Sequence, residues 1–446
     1  MINSINYYRL DELNSAQLRA LRRRAEARID DLLPVVQPVL ADVRSRGDAA
    51  LIEYTARFDH VQLAPERLRV TPPEFAAARD QLAPDVRQAI ESAAANIRRF
   101  HERQLPQELW FTEIGPGILA GEKVTPISSV GLYVPRGKGS FPSVLLMLAL
   151  PATIARVPRI AICTPPGPDG SVDAACLFAA ELCGITEVYR IGGAQALAAL
   201  AYGTETIPPV HKVVGPGSGY IAAAKRLLYG TLDVGLPAGP SEAILLADSS
   251  ADPHIVARDL LIEAEHGSDS SSLLLTDSEP LARQVLTLLP DRIATLPEPR
   301  QTFCRDVFAG TGGIIVAPDL DRALEFINDY APEHLEVLVR EPFALLPRIK
   351  NAGEILLGPC TPICIGNYCL GTNAILPTGG FAHTFSAVSV FDFLKRSGIA
   401  YLDPTGYARL HTVARQLAVY EGFPAHARAV TGRPLPEVAH KNAPSR

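Results

Sequence analysis

The sequence has no apolar run of the roughly 18 to 20 residues that a membrane span needs. It also lacks a large charge of either sign. Its formal net charge is −6 over 446 residues, so neither nucleic acid nor an anionic membrane is an expected partner. Residues 1–11 are polar and lack the pattern of a signal peptide. We therefore expect a cytoplasmic protein.

Cysteine is scarce and shows no pairing pattern. The seven cysteines are odd in number and unevenly spaced, which in a chain of this size favours reduced thiols. Cys360, Cys364 and Cys369 lie close together but contain no C-x-x-C pair. Core or loop thiols explain them better than a structural zinc site does.

From about residue 128, short β-branched runs alternate with helical segments, which predicts parallel, doubly wound sheets. The strands of a first series are predicted at residues 130–134, 160–164, 188–191 and 212–214. Those of a second series are predicted at residues 244–247, 273–276, 314–316, 335–339 and 355–357.

The same pattern divides the chain. Residues 30–104 carry helical periodicity and are predicted to cover a sheet. We predict one α/β unit of residues 30–132 with 242–388 and a second of residues 133–241. A helical arm (1–29) and a helical tail (389–446) are predicted to flank them.

Glycine-containing turns follow strands of the first series, at residues 133–139, 192–195 and 215–219. Open α/β sheets bind ligands at the carboxyl ends of their strands, and glycines let backbone N–H groups approach a phosphate. None of the turns matches the G-x-G-x-x-G fingerprint. Ordinary tight turns explain each of the three equally well. Taken together, the three turns favour a nucleotide-binding site and ordinary turns to the same degree.

Glu333 and His334 are adjacent where the chain, after Pro332, enters the apolar run of residues 335–339. A carboxylate beside an imidazole at the start of a strand suits proton transfer, because their surroundings can hold them at different pKa values. On these residues alone, a surface pair without function is the alternative.

Glu263 and His266 are three residues apart near the end of a predicted helix, so both project from one face and could share a Zn²⁺ ion. The alternative is a capped helix end, with His266 against the helix dipole and Gly267 as the residue that ends the helix. His426 is a further candidate, far along the chain.

Taken together, the motifs resemble the histidinol dehydrogenase family over nearly the whole chain. The matching segments are Gly-Leu-Tyr-Val-Pro (131–135), Gly-Gly-Ala-Gln-Ala (192–196), Val-Gly-Pro-Gly (214–217), Ala-Gly-Pro-Ser-Glu (238–242), Ala-Glu-His-Gly (264–267), Tyr-Ala-Pro-Glu-His-Leu (330–335), Gly-Thr-Asn (371–373) and Leu-Pro-Thr (376–378).

The resemblance implies two Rossmann-like domains without the glycine fingerprint, in a zinc-containing homodimer. It implies oxidation of an amino alcohol to the acid in two NAD⁺-dependent steps, with the C-terminal helical segment reaching the partner's site. Glu333 would activate water for the second oxidation, and His334 would take the alcohol proton in the first. The implied ligand contacts are Tyr133, Gln195 and Ser218 for NAD, and Ser241 and Glu421 for substrate.

The sequence departs from the family pattern at several of these positions. The family's zinc ligands Gln, His, Asp and His fall on Glu263, His266, Asn367 and His426. The first and third have exchanged their carboxylate and amide, so the ligand charge is unchanged. We therefore expect zinc to be retained, with Glu263 as the anionic ligand. Asn367 would be either a weak oxygen ligand or a donor to a ligand.

Two further departures concern the cofactor turn and the substrate pocket. Ser218 replaces an Asn of the turn, and Ala374 replaces a His of the pocket. Because hydrogen-bonding groups discriminate strongly between substrates, we expect a small polar alcohol other than L-histidinol. The alternatives are an authentic L-histidinol dehydrogenase and a silent ligand-binding protein. Because Glu333, His334 and two histidines of the metal site are retained, the sequence disfavours the silent ligand-binding protein.

Overall fold

The computed structural model describes residues 5–22, 29–136 and 139–433. Residues 1–4, 23–28, 137–138 and 434–446 belong to the predicted arm, first glycine turn and tail, and those parts of the predictions lie outside the described residues. The chain divides into two compact units. The first unit is Met1–Leu105 with Ile127–Phe393, and the second is Pro106–Pro126 with Leu394–Arg446.

Strands are numbered here in chain order. They are β1 (Tyr7–Arg9), β2 (Leu109–Gly115), β3 (Ile118–Pro126), β4 (Ser129–Tyr133), β5 (Arg159–Thr164), β6 (Val188–Arg190), β7 (Lys212–Val214), β8 (Glu242–Ala247), β9 (Ser271–Thr276), β10 (Gly313–Val316), β11 (His334–Leu338), β12 (Glu354–Leu357) and β13 (Leu394–Leu402).

Helices are numbered in the same way. They are α1 (Ser15–Arg22), α2 (Ile29–Arg46), α3 (Asp48–Phe58), α4 (Pro72–Gln81), α5 (Pro84–Glu102), α6 (Pro142–Ile154), α7 (Ala174–Leu182), α8 (Gly193–Tyr202), α9 (Gly219–Leu228), α10 (Pro253–Ala264), α11 (Glu279–Ala294), α12 (Arg300–Ala309), α13 (Leu320–Tyr330), α14 (Pro342–Leu345), α15 (Ile363–Tyr368), α16 (Pro404–Tyr420) and α17 (Pro424–Ala429).

The first unit contains two parallel sheets. Within the described residues, one has six strands in the order β1-β10-β9-β8-β11-β12, and the other has four in the order β6-β5-β4-β7. Every strand predicted from the sequence is present, with ends within two residues of the expected positions. The parallel α/β fold is therefore confirmed.

The six-stranded sheet lies between two helical layers. Alternate strand residues point to opposite faces, so Leu245 and Leu274 pack with α10 and α11 while Ile244 and Leu273 pack with α13. Both faces are buried, which is why these strands appear in the sequence as continuous apolar runs. Such a sheet gives residues at its strand ends a rigid support.

The helices of residues 29–102 cover the other sheet, which confirms the predicted helical cover. α2 packs against α8 and α9, and Val36, Val39 and Leu40 share a core with Leu197 and Val213. α4 and α5 pack against α7 and α6. These helices therefore lie with the four-stranded sheet, whereas the division made from the sequence placed them with the six-stranded one.

The chain ends differ in part from the predicted arm and tail. The arm is helical in α1, where Asn14 Oδ1 accepts hydrogen bonds from the N–H groups of Ala16 and Gln17, but β1 precedes it as an edge strand. In the second unit, β13 pairs antiparallel with β3, and β3 with β2. The tail therefore contains a strand, which follows a 3-10 turn at Val390–Phe393, and its α-helices come after the strand. None of the helices in the described residues could cross a membrane.

Glu336 on β11 is an acidic residue buried among apolar neighbours, with 1% of its surface exposed. Burial and then the nearby Asp259 carboxyl raise the pKa of Glu336 to about 9. The pKa of a glutamate in an unfolded chain is about 4.3. Between these two pKa values, the folded protein keeps a proton on Glu336 that the unfolded chain has lost. The free energy of unfolding therefore falls as the pH rises from the unfolded-state pKa through the folded-state pKa.

Glu336→Gln should remove this pH-dependent cost. We expect the free energy of unfolding at pH 8 to increase by about 1–3 kcal/mol, with a much smaller gain at pH 5. Urea denaturation at the two pH values measures the difference. Glu91→Gln, at an exposed position on α5, is the matched control and should show no such pH dependence. Equal gains for Glu336→Gln at both pH values would contradict the prediction.

Candidate active site

A cavity of about 750 Å³ in the first unit brings ends of the two parallel sheets together. The four-stranded sheet contributes the turns that follow β4 and β7, at the carboxyl ends of its strands. The six-stranded sheet contributes residues at the amino ends of β8 and β11. The lining includes Pro135, Arg136, Pro216, Gly217, Ser218, Ser241, Glu263, His266, Glu333, His334, Asn367 and Ala374.

Glu333 reaches the cavity because helix α13 is terminated sharply before it. Ala331 adopts a left-handed conformation with φ of 50° at the end of α13, and Pro332 and Glu333 then lead into β11. The Glu333 carboxylate is 8% exposed and accepts a hydrogen bond of 2.8 Å from the N–H of Glu242. Burial, with Glu263 and Glu242 nearby, raises the pKa of Glu333 well above its usual value despite the opposing effect of His334.

His334 is the first residue of β11 and lies among three carboxylates. Its Nδ1 is 3.1 Å from Glu354 Oε2, while its Nε2 is 3.9 Å from Glu263 Oε1 and 4.0 Å from Glu333 Oε1. Burial alone would lower the pKa of His334, but the hydrogen bond with Glu354 and the carboxylate charges together raise it to about 9. Of the three carboxylates, Glu354 is the one within direct hydrogen-bond distance of the ring.

The candidate metal ligands of the first unit converge on Glu263, which is 1% exposed. His266 Nδ1 lies 3.6 Å from Glu263 Oε2 and 3.1 Å from Ser241 Oγ. Asn367 donates its side-chain N–H to Glu263 Oε1 over 2.9 Å. Burial opposes ionisation of Glu263, but His266, His334 and the hydrogen bonds outweigh it and lower its pKa. Glu263 is thus held as a carboxylate.

These residues fit part of a zinc site. A buried carboxylate (Glu263) and an imidazole (His266) are zinc ligands of the usual kind. The Asn367 amide is hydrogen-bonded to the carboxylate and orients it. The amide nitrogen of Asn367 faces Glu263, which favours the role of donor to a ligand over that of oxygen ligand. No group of three or more histidine, cysteine, aspartate or glutamate side chains suitable for a metal occurs in the described residues.

The residues predicted to contact NAD cluster at the carboxyl end of the four-stranded sheet. The Tyr133 hydroxyl accepts a 3.1 Å hydrogen bond from the N–H of Gly193 at the start of α8. Gln195 is 1% exposed, and within the described part of the chain its amide nitrogen and oxygen have no hydrogen-bond partner. A buried amide left in this state fits a polar ligand that supplies the missing bonds. Ser218 lies before α9 and lines the cavity.

The histidinol dehydrogenase family model matches residues 22–434. A Synechocystis protein named histidinol dehydrogenase is 52% identical over 95% of this chain and 98% of its own, and a Cereibacter sphaeroides protein named histidinol dehydrogenase homolog is 50% identical over 96% and 97%. The chain belongs to the histidinol dehydrogenase family. The crystal structure of Elizabethkingia anophelis histidinol dehydrogenase superimposes with a TM-score of 0.90, at 34% identity over 96% of this chain and 97% of that one.

Membership of the histidinol dehydrogenase family makes the chain an NAD-dependent oxidoreductase that acts on CH–OH groups. The first unit brings together Glu333, His334, Glu263, His266, Asn367 and Ser241 at one cavity. Glu421 and His426 belong to the second unit, where Glu421 ends α16 and the His426 ring lies 5.2 Å from the Phe423 ring. The roles that the family resemblance gives these two residues stay predictions.

Two carboxylates of the site were not identified from the sequence. Glu242 begins β8, donates its N–H to Glu333 and accepts the N–H of Gly379 on its side chain. Glu354 begins β12 and contacts His334. Glu354 directly precedes a predicted strand and Glu242 lies two residues before one, so an acidic residue at the amino end of a buried strand was the available signal. The contact of Glu354 with His334 additionally depends on the register of two strands.

Gly193 allows a test of the cofactor turn that needs no substrate. Its φ is +63°, and a Cβ there would lie 2.4 Å from Gln195 Oε1. Gly193→Ala should displace the Gln195 amide and weaken NAD binding at least tenfold, as measured by isothermal titration calorimetry. Gly184→Ala is the matched control, because Gly184 has a φ of +72° and nothing within 4 Å of the added Cβ. Equal NAD affinities of the two variants would contradict the prediction.

Proposed function

We propose that this protein is a zinc-containing, NAD-dependent dehydrogenase of a small polar alcohol other than L-histidinol. One observation carries the proposal: Ala374 lines the same cavity as Glu333 and His334. The family pattern places an imidazole at this position, and here a methyl group stands there beside Met147, whose sulfur accepts the N–H of Ala374. A hydrogen-bonding group of the substrate pocket is therefore missing, and loss of such a group changes which substrate is preferred.

The protein's own groups divide the chemistry between them. His334 Nε2 would take the hydroxyl proton of the alcohol as the carbon is oxidised, and Glu333, bound to the N–H of Glu242, would hold and deprotonate the water of a second oxidation. Bound NAD⁺ would supply the hydride acceptor, and zinc a Lewis acid at Glu263 and His266. Burial of Glu333 and His334 excludes bulk water from these proton transfers.

The second candidate function is authentic L-histidinol dehydrogenase. It is favoured by the Synechocystis relative, whose name is histidinol dehydrogenase and whose identity of 52% is slightly above that of the Cereibacter sphaeroides homolog at 50%. In this case the cavity would bind the imidazole of the substrate without a side-chain partner at position 374.

We further propose that the protein acts as a homodimer in the cytoplasm, without nucleic acid or a membrane as partner. Apolar residues on the exposed surface of the second unit support a protein–protein contact there. They include Phe111 and Ile114 on β2, and Val413, Leu417 and Tyr420 on α16. Light scattering coupled to size exclusion would measure a mass of two chains.

The function is tested by measuring the zinc content of the purified protein and NADH formation from L-histidinol. We expect about one zinc per chain, little turnover of L-histidinol, and robust turnover of another small polar alcohol in a panel. Robust turnover of L-histidinol would establish the second candidate. Absence of NADH formation with every alcohol would overturn both.

The exchanged carboxylate gives a sharper test of the metal. Glu263→Gln removes the anionic donor of the first unit and should lower the zinc content at least tenfold. The double variant Glu263→Gln with Asn367→Asp returns one carboxylate to the pair and should restore it. Zinc is measured by mass spectrometry after dialysis, with folding checked by circular dichroism. Equal zinc contents in the single and double variants would show that the carboxylate does not bind the metal.

A further inference from the structure

Glu354 and His334 are register partners on neighbouring parallel strands, β12 and β11. Side chains at paired positions point to the same face of a sheet, so the carboxylate and the imidazole meet side by side. His334 Nδ1 lies 3.1 Å from Glu354 Oε2. Both residues are buried, with 6% of the surface of Glu354 and 2% of that of His334 exposed.

The surroundings of Glu354 are shaped to hold its carboxylate in place. Its second oxygen, Oε1, accepts a 2.6 Å hydrogen bond from Thr372 Oγ1. Gly366 on α15 lies directly against it, and a Cβ at that position would be 2.9 Å from both carboxylate oxygens. A hydroxyl on one side and a missing side chain on the other leave the carboxylate little freedom to turn away from His334.

This contact decides which nitrogen of His334 carries the proton. A carboxylate accepts hydrogen bonds, so Nδ1 is held in its N–H form and donates to Glu354. Nε2 is then the nitrogen that faces Glu263 and Glu333, 3.9 and 4.0 Å away. In the neutral ring, Nε2 has the free lone pair that a base needs.

We propose that Glu354 is a positioning residue, which fixes the Nδ1–H tautomer and the ring orientation of His334 so that Nε2 can act as the base. The role rests on the proposed function, in which His334 takes the proton of the alcohol. Glu354 itself does not line the cavity that holds Glu333 and His334, and it acts only through His334.

The first experiment needs no substrate. Protein labelled with ¹⁵N-histidine is examined by two-bond ¹H–¹⁵N correlation spectra at increasing pH until the His334 signals stop changing and the ring is neutral, with these signals assigned by their absence in His334→Ala. The wild type should show protonated Nδ1 and unprotonated Nε2. Glu354→Leu, which has no acceptor, should shift the ring toward protonated Nε2. Glu354→Gln replaces it if the leucine variant does not fold, and should give a mixture of the two forms.

Thr372→Val is the matched control, because it removes the other hydrogen bond of Glu354 and leaves the contact with His334. Its spectrum should match that of the wild type. An unchanged tautomer in Glu354→Leu, or in Glu354→Gln where the leucine variant does not fold, would overturn the proposal. Since this measurement does not use turnover, its result is independent of whether the proposed alcohol oxidation is correct.

The second experiment uses kinetics with whichever alcohol the wild type oxidises. Replacing Glu354 by Gln should lower kcat about 10- to 100-fold with KM and zinc content nearly unchanged, as is typical for partners of a functional histidine. On the His334→Ala background the same replacement should cause no further loss, because its effect passes through that ring. Losses that multiply in the double variant would show a structural role instead and overturn the proposal.

Discussion

The site depends on the burial of three carboxylates around one imidazole. Glu263, Glu333 and Glu354 each place an oxygen within 4.0 Å of a His334 ring nitrogen. A buried carboxylate is costly unless it is hydrogen-bonded or paired, and each of the three has a dedicated donor. The donors come from separate elements: the N–H of Glu242 on β8, the side chain of Asn367 on α15, and Thr372 beyond it. The positions of these elements are therefore linked to the site.

The same charge balance supports a cation as a resident of the site. Three acidic groups face His334, and one of them, Glu263, also faces the half-exposed His266, so repulsion between the carboxylates favours a proton on one of them or a further positive charge. Among the protein groups, burial raises the pKa of Glu333, whereas the neighbouring histidines and hydrogen bonds lower that of Glu263. The carboxylate with the lowered pKa is thus the one beside His266.

The sequence predicted the two parallel sheets well and the chain ends poorly, for a physical reason. The strands of both sheets are buried on two faces, so each is a short apolar run with turn residues on both sides. Apart from Gly121, the residues of β13 and β3 are exposed or half-buried, and their pairing joins positions about 270 to 280 residues apart. No local pattern reports such a contact. Glu354 was not identified from the sequence for the same reason, because its contact with His334 forms only when β11 and β12 pair in this register.

The departures from the family pattern at Glu263 and Asn367 differ in their structural consequences from the one at Ala374. Asn367 and Glu263 touch over 2.9 Å, so a carboxylate at both positions would place two like charges together, and an amide at both would leave no anion. The pair tolerates one carboxylate in either place, and exchanging it preserves both charge and hydrogen bond. Ala374 lines the cavity with Met147, Ile375 and Leu376 as apolar neighbours, and its methyl group cannot make the hydrogen bonds of an imidazole. This change at a residue that lines the same cavity as Glu333 and His334 is the physical basis for proposing a different alcohol.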